Sequence, residues 1–350
     1  MELALADFPQ ALLPSGGADE LRGVVSGLAP WRMLYFECRL SGSGGQVDVS
    51  QHFHASNGGA DALLELALRR SNELDDGAAR AWHRVANLAA LWKTDARLGH
   101  AITEICLEYD VGPAGVWQSV PALFAGFGSG LLSNREAAYT FAKTLLPDEH
   151  MAWQRLVSTL ELAEQHGLKA GRMIGIMLSR DAELRCMIGD LRPDRVHAFL
   201  DRVGWPGVRA VLTDLLSQTV FQSAGGLLVL GHRPELVSGC GIEMIYGKDE
   251  DKLPERSALL RWLIDRKLAD PARAGALEEW CGTMNPIDAR ADWPDALIAR
   301  ALTESKDRLC YLHRFVNHLK INILGHEITA AKAYLALAPV DWRMGVAADV

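Results

Sequence analysis

Glu37, Arg39, His52, Glu108, Glu243, Lys320, Lys332 and Tyr334 all lie in segments where apolar and polar residues alternate. Alternation marks a strand with one buried face, and it puts polar side chains two residues apart on the same side. In MLYFECRL at 33–40, Leu34, Phe36, Cys38 and Leu40 oppose Tyr35, Glu37 and Arg39. In VDVSQHFH at 47–54, Asp48, Ser50, His52 and His54 oppose Val47, Val49 and Phe53. Glu104, Cys106, Glu108 and Asp110 oppose Ile105, Leu107 and Tyr109. His318, Lys320 and Asn322 oppose Leu319, Ile321 and Ile323, and Lys332 and Tyr334 oppose Ala331, Ala333, Leu335 and Leu337. The lysines and Arg39 can neutralise an anion, a tyrosine hydroxyl or a histidine can add a hydrogen bond, and a glutamate can orient or deprotonate a reactant. The same faces also carry Glu37, Asp48, Glu104, Glu108, Asp110 and Glu243, an acidic set suited to a cation: a metal, an amine or a guanidinium group.

The elements that must position these residues follow a repeated order. Hairpins are expected at 33–40 with 47–54, 101–110 with 120–128, 171–179 with 183–191, 225–232 with 239–247, and 314–324 with 329–337. The turns are SGSGG, a Gly/Pro loop, Arg180-Asp181, Arg233-Pro234-Glu235 and Gly325-His326. Helical periodicity fills the intervals, mostly as pairs, with a break at Asp75-Asp76-Gly77. Ser133-Asn134 is a candidate N-cap, and Pro147 and Pro193 are candidate helix starts. Trp82 and Trp92 fall on helical faces and are expected in the core.

Hairpins joined end to end do not build a parallel doubly wound sheet, but they can close into a barrel without exposed edges. If the sheet stays open, its polar face simply meets water. If it closes, that face lines a lumen, and a binding cavity follows. The expected fold is therefore α+β: five β-hairpins with intervening helices closing into a ten-stranded antiparallel barrel surrounded by helices. It is expected as a single domain over 1–350, with repeats near 33–100, 101–170, 171–224, 225–313 and 314–338.

This element order, over about 33–337, resembles the αββα-barrel (ABBA, or PT-barrel) prenyltransferases. Lys332-Ala333-Tyr334 is similar to the Lys-x-Tyr pattern that lines the diphosphate site of indole prenyltransferases of this fold. The resemblance implies an allylic diphosphate donor and an aromatic or peptide acceptor, in natural-product or ribosomal-peptide biosynthesis. It implies a donor cage drawn from Arg39, Lys320, Lys332, Tyr334 and His52. The base would be Glu108, with Glu37 and Glu243 behind it. Each glutamate could equally pair a lumen Arg or Lys. Enzymes of this barrel work with and without Mg²⁺, and no dedicated metal-ligand spacing is visible. The acidic lumen keeps open a barrel that binds a cationic ligand or peptide without prenyl transfer. A terpenoid cyclase in the same barrel also stays open.

Composition bounds the remaining classes. The chain has 350 residues, 49% hydrophobic, with a net charge of −8, which argues against a broad nucleic-acid surface. The six cysteines form no C-x-x-C pair and are expected as buried thiols in a reducing compartment. The N-terminal residues lack a signal-peptide layout, and no apolar run reaches the ~18 residues of a membrane span. A cytoplasmic protein without a membrane partner is expected. Dinucleotide, phosphate-loop, G-x-S-x-G and H-E-x-x-H signatures are absent, as is the D-D-x-x-D spacing of helical terpenoid enzymes.

Overall fold

The structure, a computed structural model, describes residues 5, 7–13, 17–28, 33–42, 47–111, 120–178, 183–218, 221, 226–248, 250–285, 293, 295, 298 and 308–343. The expected turn at Arg180-Asp181, the Gly/Pro loop at 112–119, most of the SGSGG turn and the tail beyond 343 lie outside them.

Alternating segments form the strands β1 (Leu34–Arg39), β2 (Val47–His54), β3 (Ile102–Tyr109), β4 (Ala122–Phe127), β5 (Lys169–Met177), β6 (Glu183–Gly189), β7 (Gly226–His232), β8 (Leu236–Ile245), β9 (Gly282–Met284), β10 (Arg308–Leu324) and β11 (Glu327–Arg343). Neighbours pair antiparallel from β1 through β8, β8 pairs with β10, β10 with β11, and β11 returns to β1. The result is a closed ten-stranded barrel. The short β9 adds to one end of β10, where Thr283 faces His313. The last hairpin is longer than its alternation suggested, because pairing continues past Ala338 to Arg343. Gly325 turns it with φ 60°, a left-handed conformation that glycine adopts without strain.

The helices are α1 (Gly17–Gly27), α2 (Gly59–Glu73), α3 (Asp76–Thr94), α4 (Ala96–Ala101), α5 (Arg135–Leu145), α6 (His150–Gln165), α7 (Pro193–Val203), α8 (Arg209–Ser217), α9 (Leu253–Asp265) and α10 (Pro271–Trp280). Asp75 caps α3 by accepting from Ala78 N, which explains the break seen in the sequence. Pro193 opens α7 as expected, whereas Pro147 sits in the turn before α6. Asn134 precedes α5 but does not cap it. Its amide donates instead to Ser129 Oγ and Gly130 O, both at 2.8 Å. No helix among the described residues is long and apolar enough to cross a membrane.

The outward strand faces and the inner helix faces make one apolar shell. Leu34, Phe36 and Cys38 of β1, Ile105, Leu107 and Tyr109 of β3, and Leu319, Ile321 and Ile323 of β10 all belong to it. Trp82 is buried and stacks on Tyr109 at 6.5 Å, and the buried Trp92 donates its indole N–H to Ile102 O at 3.0 Å. Phe36 meets the ring of Phe8 at 5.1 Å and that of Trp280 at 5.8 Å, so one strand residue ties the N-terminal segment to α10. Replacing a buried Phe by Ala removes transfer energy and leaves a cavity. Phe36→Ala should therefore cost about 3–5 kcal/mol, read from the denaturant midpoint. A loss below about 1 kcal/mol would mean that this junction does not hold the shell together.

Candidate active site in the barrel lumen

Residues directly opposite each other in an antiparallel ladder share a face, so closure turns the polar rows into the lumen wall. One row runs Arg39–Lys332–Lys320–Glu243 across β1, β11, β10 and β8. The next runs Asp48–Glu37–Tyr334–His318, and a third joins Tyr35, Ser50 and Glu108. A β-bulge at Asn317 makes this possible on β10. Before it, Phe315 points inward opposite Ala336; after it, the inward set is His318, Lys320 and Asn322. The bulge is held by its carbonyl, which accepts from Tyr246 N and Gly247 N, both at 2.8 Å. Phe315, Ala336, Ala338, Met33 and Tyr35 form a separate apolar cluster at that end of the lumen.

Two chambers meet at Glu108, Lys320 and Tyr334. The polar one, about 210 Å³, is lined by Glu37, Lys332, Arg185, Asn322 and Glu183 among others. The other, about 260 Å³, is walled by Phe124, Met173, Met187, Leu227 and Ile245, with His52, Glu104 and Cys106 on one side. Joined, they reach the roughly 300–1,000 Å³ of small-molecule sites. Glycines make room for the long side chains. A Cβ at Gly231 would lie 2.6 Å from Glu183 Oε1, and one at Gly126 would lie 2.9 Å from Glu104 Cγ.

The charges are largely paired. Lys332 Nζ and Tyr334 OH both donate to the Glu37 carboxylate. Lys320 Nζ lies 2.8 Å from Glu243 Oε1, and Arg185 Nε donates to Glu183 Oε1 at 2.7 Å. His318 stacks on the Tyr334 ring at 3.9 Å and hydrogen-bonds Asn317 Oδ1 at 2.8 Å. Asp48 accepts from Val111 N at 3.0 Å. Among the described residues, Glu108 has no hydrogen bond or ion pair. Burial would push the Glu37 carboxyl up, but Lys332, Lys320 and the two hydrogen bonds outweigh it and hold the group near 2. Burial also pushes Glu108 up, and the Glu37 charge adds to it. Lys320 and Lys332 oppose this only in part, leaving Glu108 at about 7. Burial brings His318 down to about 4, so it is neutral near pH 7. Two carboxyls pushed apart in this way can divide the work, one staying charged to hold cations while the other exchanges a proton.

Glu37, Glu108, Glu243, Lys320, Lys332 and Tyr334 thus stand together around the junction of the chambers. Arg39 heads the lysine row but is exposed. His52 is in the apolar chamber beside Glu104 and Cys106, away from Lys332. Sequence reasoning did not single out Arg185, although it alternates with Leu184 and Cys186 and faces Gly175 and Gly231 across the ladder. Nor did it find the Asn317 bulge.

No family model and no curated protein matches the chain. Solved structures do. A 6-dimethylallyl tryptophan synthase superposes with a TM-score of 0.56 at 11% identity, covering 95% of this chain and 94% of its own. The 6-dimethylallyltryptophan synthase of Micromonospora olivasterospora, in complex with DMASPP and Trp, gives 0.55 at 12%, with 95% of each chain covered. The prenyltransferase PriB gives 0.52 at 12%, covering 96% of this chain and 95% of its own. The chain therefore has the αββα PT-barrel fold of these prenyltransferases over nearly its whole length.

Proposed function

We propose that this protein transfers a prenyl group from an allylic diphosphate to an acceptor held in the lumen. The reading rests on one observation above all: a polar chamber carrying Lys320, Lys332 and Arg185 adjoins an apolar one walled by Phe124, Met173, Met187 and Leu227. The unpaired Glu108 stands at their junction. The polar chamber suits the diphosphate, with Lys332, Lys320, Arg185 and Tyr334 supplying charge and donors, and the exposed Arg39 beside Lys332 in the ladder. The apolar wall suits the prenyl chain and keeps water from the allylic cation. In the reaction the allylic C–O bond breaks and diphosphate leaves with its electron pair. The acceptor forms the new bond to carbon, and Glu108 takes its proton. The similar enzyme crystallised with DMASPP and Trp favours an aromatic acceptor. The pairing of both lysines with Glu37 and Glu243, beside Asp48, Glu104 and Glu108, favours a basic one instead, such as an amine or guanidinium side chain on a peptide. Competition between tryptophan and an arginine-containing peptide for the same site separates these acceptors.

Donor binding is tested by thermal shift with dimethylallyl, geranyl and farnesyl diphosphates, with and without Mg²⁺. A ligand at ~100 times its dissociation constant adds ~2.7 kcal/mol, so one of the three should raise the melting midpoint clearly. Lys332→Ala leaves Glu37 buried without its ion partner, a loss of ~3–5 kcal/mol in such pairs. The quantity to compare is therefore the ligand-induced shift, which should vanish in the variant although its starting midpoint is already lower. No shift with any diphosphate in the wild type contradicts the reading.

Glu108 adds a pH signature. Its carboxyl is raised from about 4.5 to about 7 on folding, so its contribution to stability is full below about 4.5 and is lost as pH rises through about 7. Glu108→Gln removes that loss: the variant should gain melting temperature over the wild type at pH 8 and lose the advantage at pH 5. In turnover, kcat/KM should rise with pH through about 7 as the base ionises, and Glu108→Gln should lower it by about 10²–10⁴-fold. A pH-independent rate, or full activity in the variant, removes Glu108 from the reaction.

A further inference from the structure

The apolar chamber holds a second group of residues that prenyl transfer does not use. His52 and His54 alternate on β2, Glu104 and Cys106 alternate on β3, and the register sets His52 opposite Cys106 and His54 opposite Glu104. Three donor atoms converge there. Cys106 Sγ lies 2.9 Å from His52 Nδ1, His52 Nδ1 lies 3.1 Å from Glu104 Oε2, and Sγ and Oε2 are 4.0 Å apart. Hydrogen bonds alone satisfy this arrangement poorly. The same imidazole nitrogen faces both the thiol and the carboxylate, and in one tautomer it either donates or accepts. Donating to Glu104 leaves it no lone pair for the thiol, whose proton then reaches Glu104 Oε2 only across 4.0 Å, and accepting from the thiol leaves it no proton for the carboxylate. One cation among the three atoms satisfies all of them at once.

We infer that His52, Glu104 and Cys106 form a binding site for a borderline transition-metal ion such as zinc(II), with one coordination position open to the chamber. The donor set selects the class. Thiolate and imidazole suit zinc and its neighbours, whereas magnesium and calcium take oxygen ligands. An ion with bonds of about 2.0–2.3 Å in a tetrahedral array holds its donors roughly 3.3–3.8 Å apart, and the three observed separations bracket that range. Three protein ligands with an open fourth position is the arrangement of zinc sites that bind water or substrate. His54 Nε2, 3.9 Å from Glu104 Oε2, stands at the rim of the group. The surroundings hold the ligands in place. The Tyr35 ring packs edge-on against the His52 imidazole at 4.4 Å, and its hydroxyl accepts from Asn317 Nδ2 at 3.3 Å. Gly126 leaves the space that the Glu104 side chain occupies. The site is independent of the donor reading, since metal uptake needs neither a diphosphate nor an acceptor.

The test uses the full chain, treated with a chelator and then titrated separately with Zn²⁺, Co²⁺ and Mg²⁺. One zinc per chain is expected by calorimetry and elemental analysis, unaffected by excess Mg²⁺. Cobalt should give the thiolate-to-metal charge-transfer absorption of a sulfur-ligated ion. Cys106→Ser should abolish that absorption and weaken zinc binding by more than the about 10–100-fold typical of losing an outer-shell partner. Cys281→Ser, a thiol outside the lumen that bonds Leu277 O, should change neither. Glu104→Gln keeps the thiol and should weaken zinc binding with the absorption retained at saturating cobalt. It also gives an answer if the serine variant fails to match the metal-free wild type in its unfolding midpoint. No stoichiometric uptake, or uptake and absorption that survive both lumen substitutions, overturns the site.

Discussion

The backbone ladder between β11 and β1 is the constraint on which the rest depends. Without it the chain would present a sheet with one polar face in water, and its lysines and glutamates would be ordinary solvated side chains. With it, the same face encloses a lumen in which Glu37 and Glu243 are buried. A charge in that position must be paired or neutralised, because burial penalises the ionised form. Topology thus sets the electrostatic problem, and the lumen side chains answer it.

The answer is uneven, and the proposed reaction draws on that unevenness. Glu37 receives Lys332 and Tyr334 and stays charged, and Glu243 receives Lys320. Glu108 lies close enough to feel the Glu37 charge but receives no partner, so its proton is held until about pH 7. Apolar residues do not share the lumen evenly either. Phe315, Ala336 and Ala338 gather at one end, and Phe124, Met173, Met187 and Leu227 wall one chamber. The proposed donor, with its charged head and apolar tail, follows that division.

Much of the architecture was legible because it rests on short-range pattern. Period-two alternation in MLYFECRL, HLKIN and KAY assigned the faces of Glu37, Lys320 and Lys332, and Asp75-Asp76-Gly77 marked the helix break where Asp75 proves to be the cap. What the pattern could not show depends on contacts far apart in the chain. Lys332 and Glu37 are 295 residues apart, so although a Lys or Arg partner for each glutamate was open from the sequence, which lysine meets which glutamate was not visible until the barrel closed. The Asn317 bulge depends on the Tyr246 and Gly247 N–H groups, just past the end of β8. Asn134 had the right residue type for a cap, but Ser129 and Gly130 took its side chain. The His52–Glu104–Cys106 group was written as one i, i+2 pair on β3 and a histidine on β2, yet only the β2–β3 register brings them face to face.

The split between the Glu37 and Glu108 carboxyls is the signature of a closed lumen, and a carbon-13 titration of the glutamate side-chain carboxyls measures it. One resonance should titrate near pH 7 and be missing from Glu108→Gln. Another, missing from Glu37→Gln, should remain ionised down to about pH 2. If every glutamate instead titrates between about 4 and 5, as in model peptides, the lumen is wet, its charges are screened, and the account of a closed, proton-exchanging site is wrong.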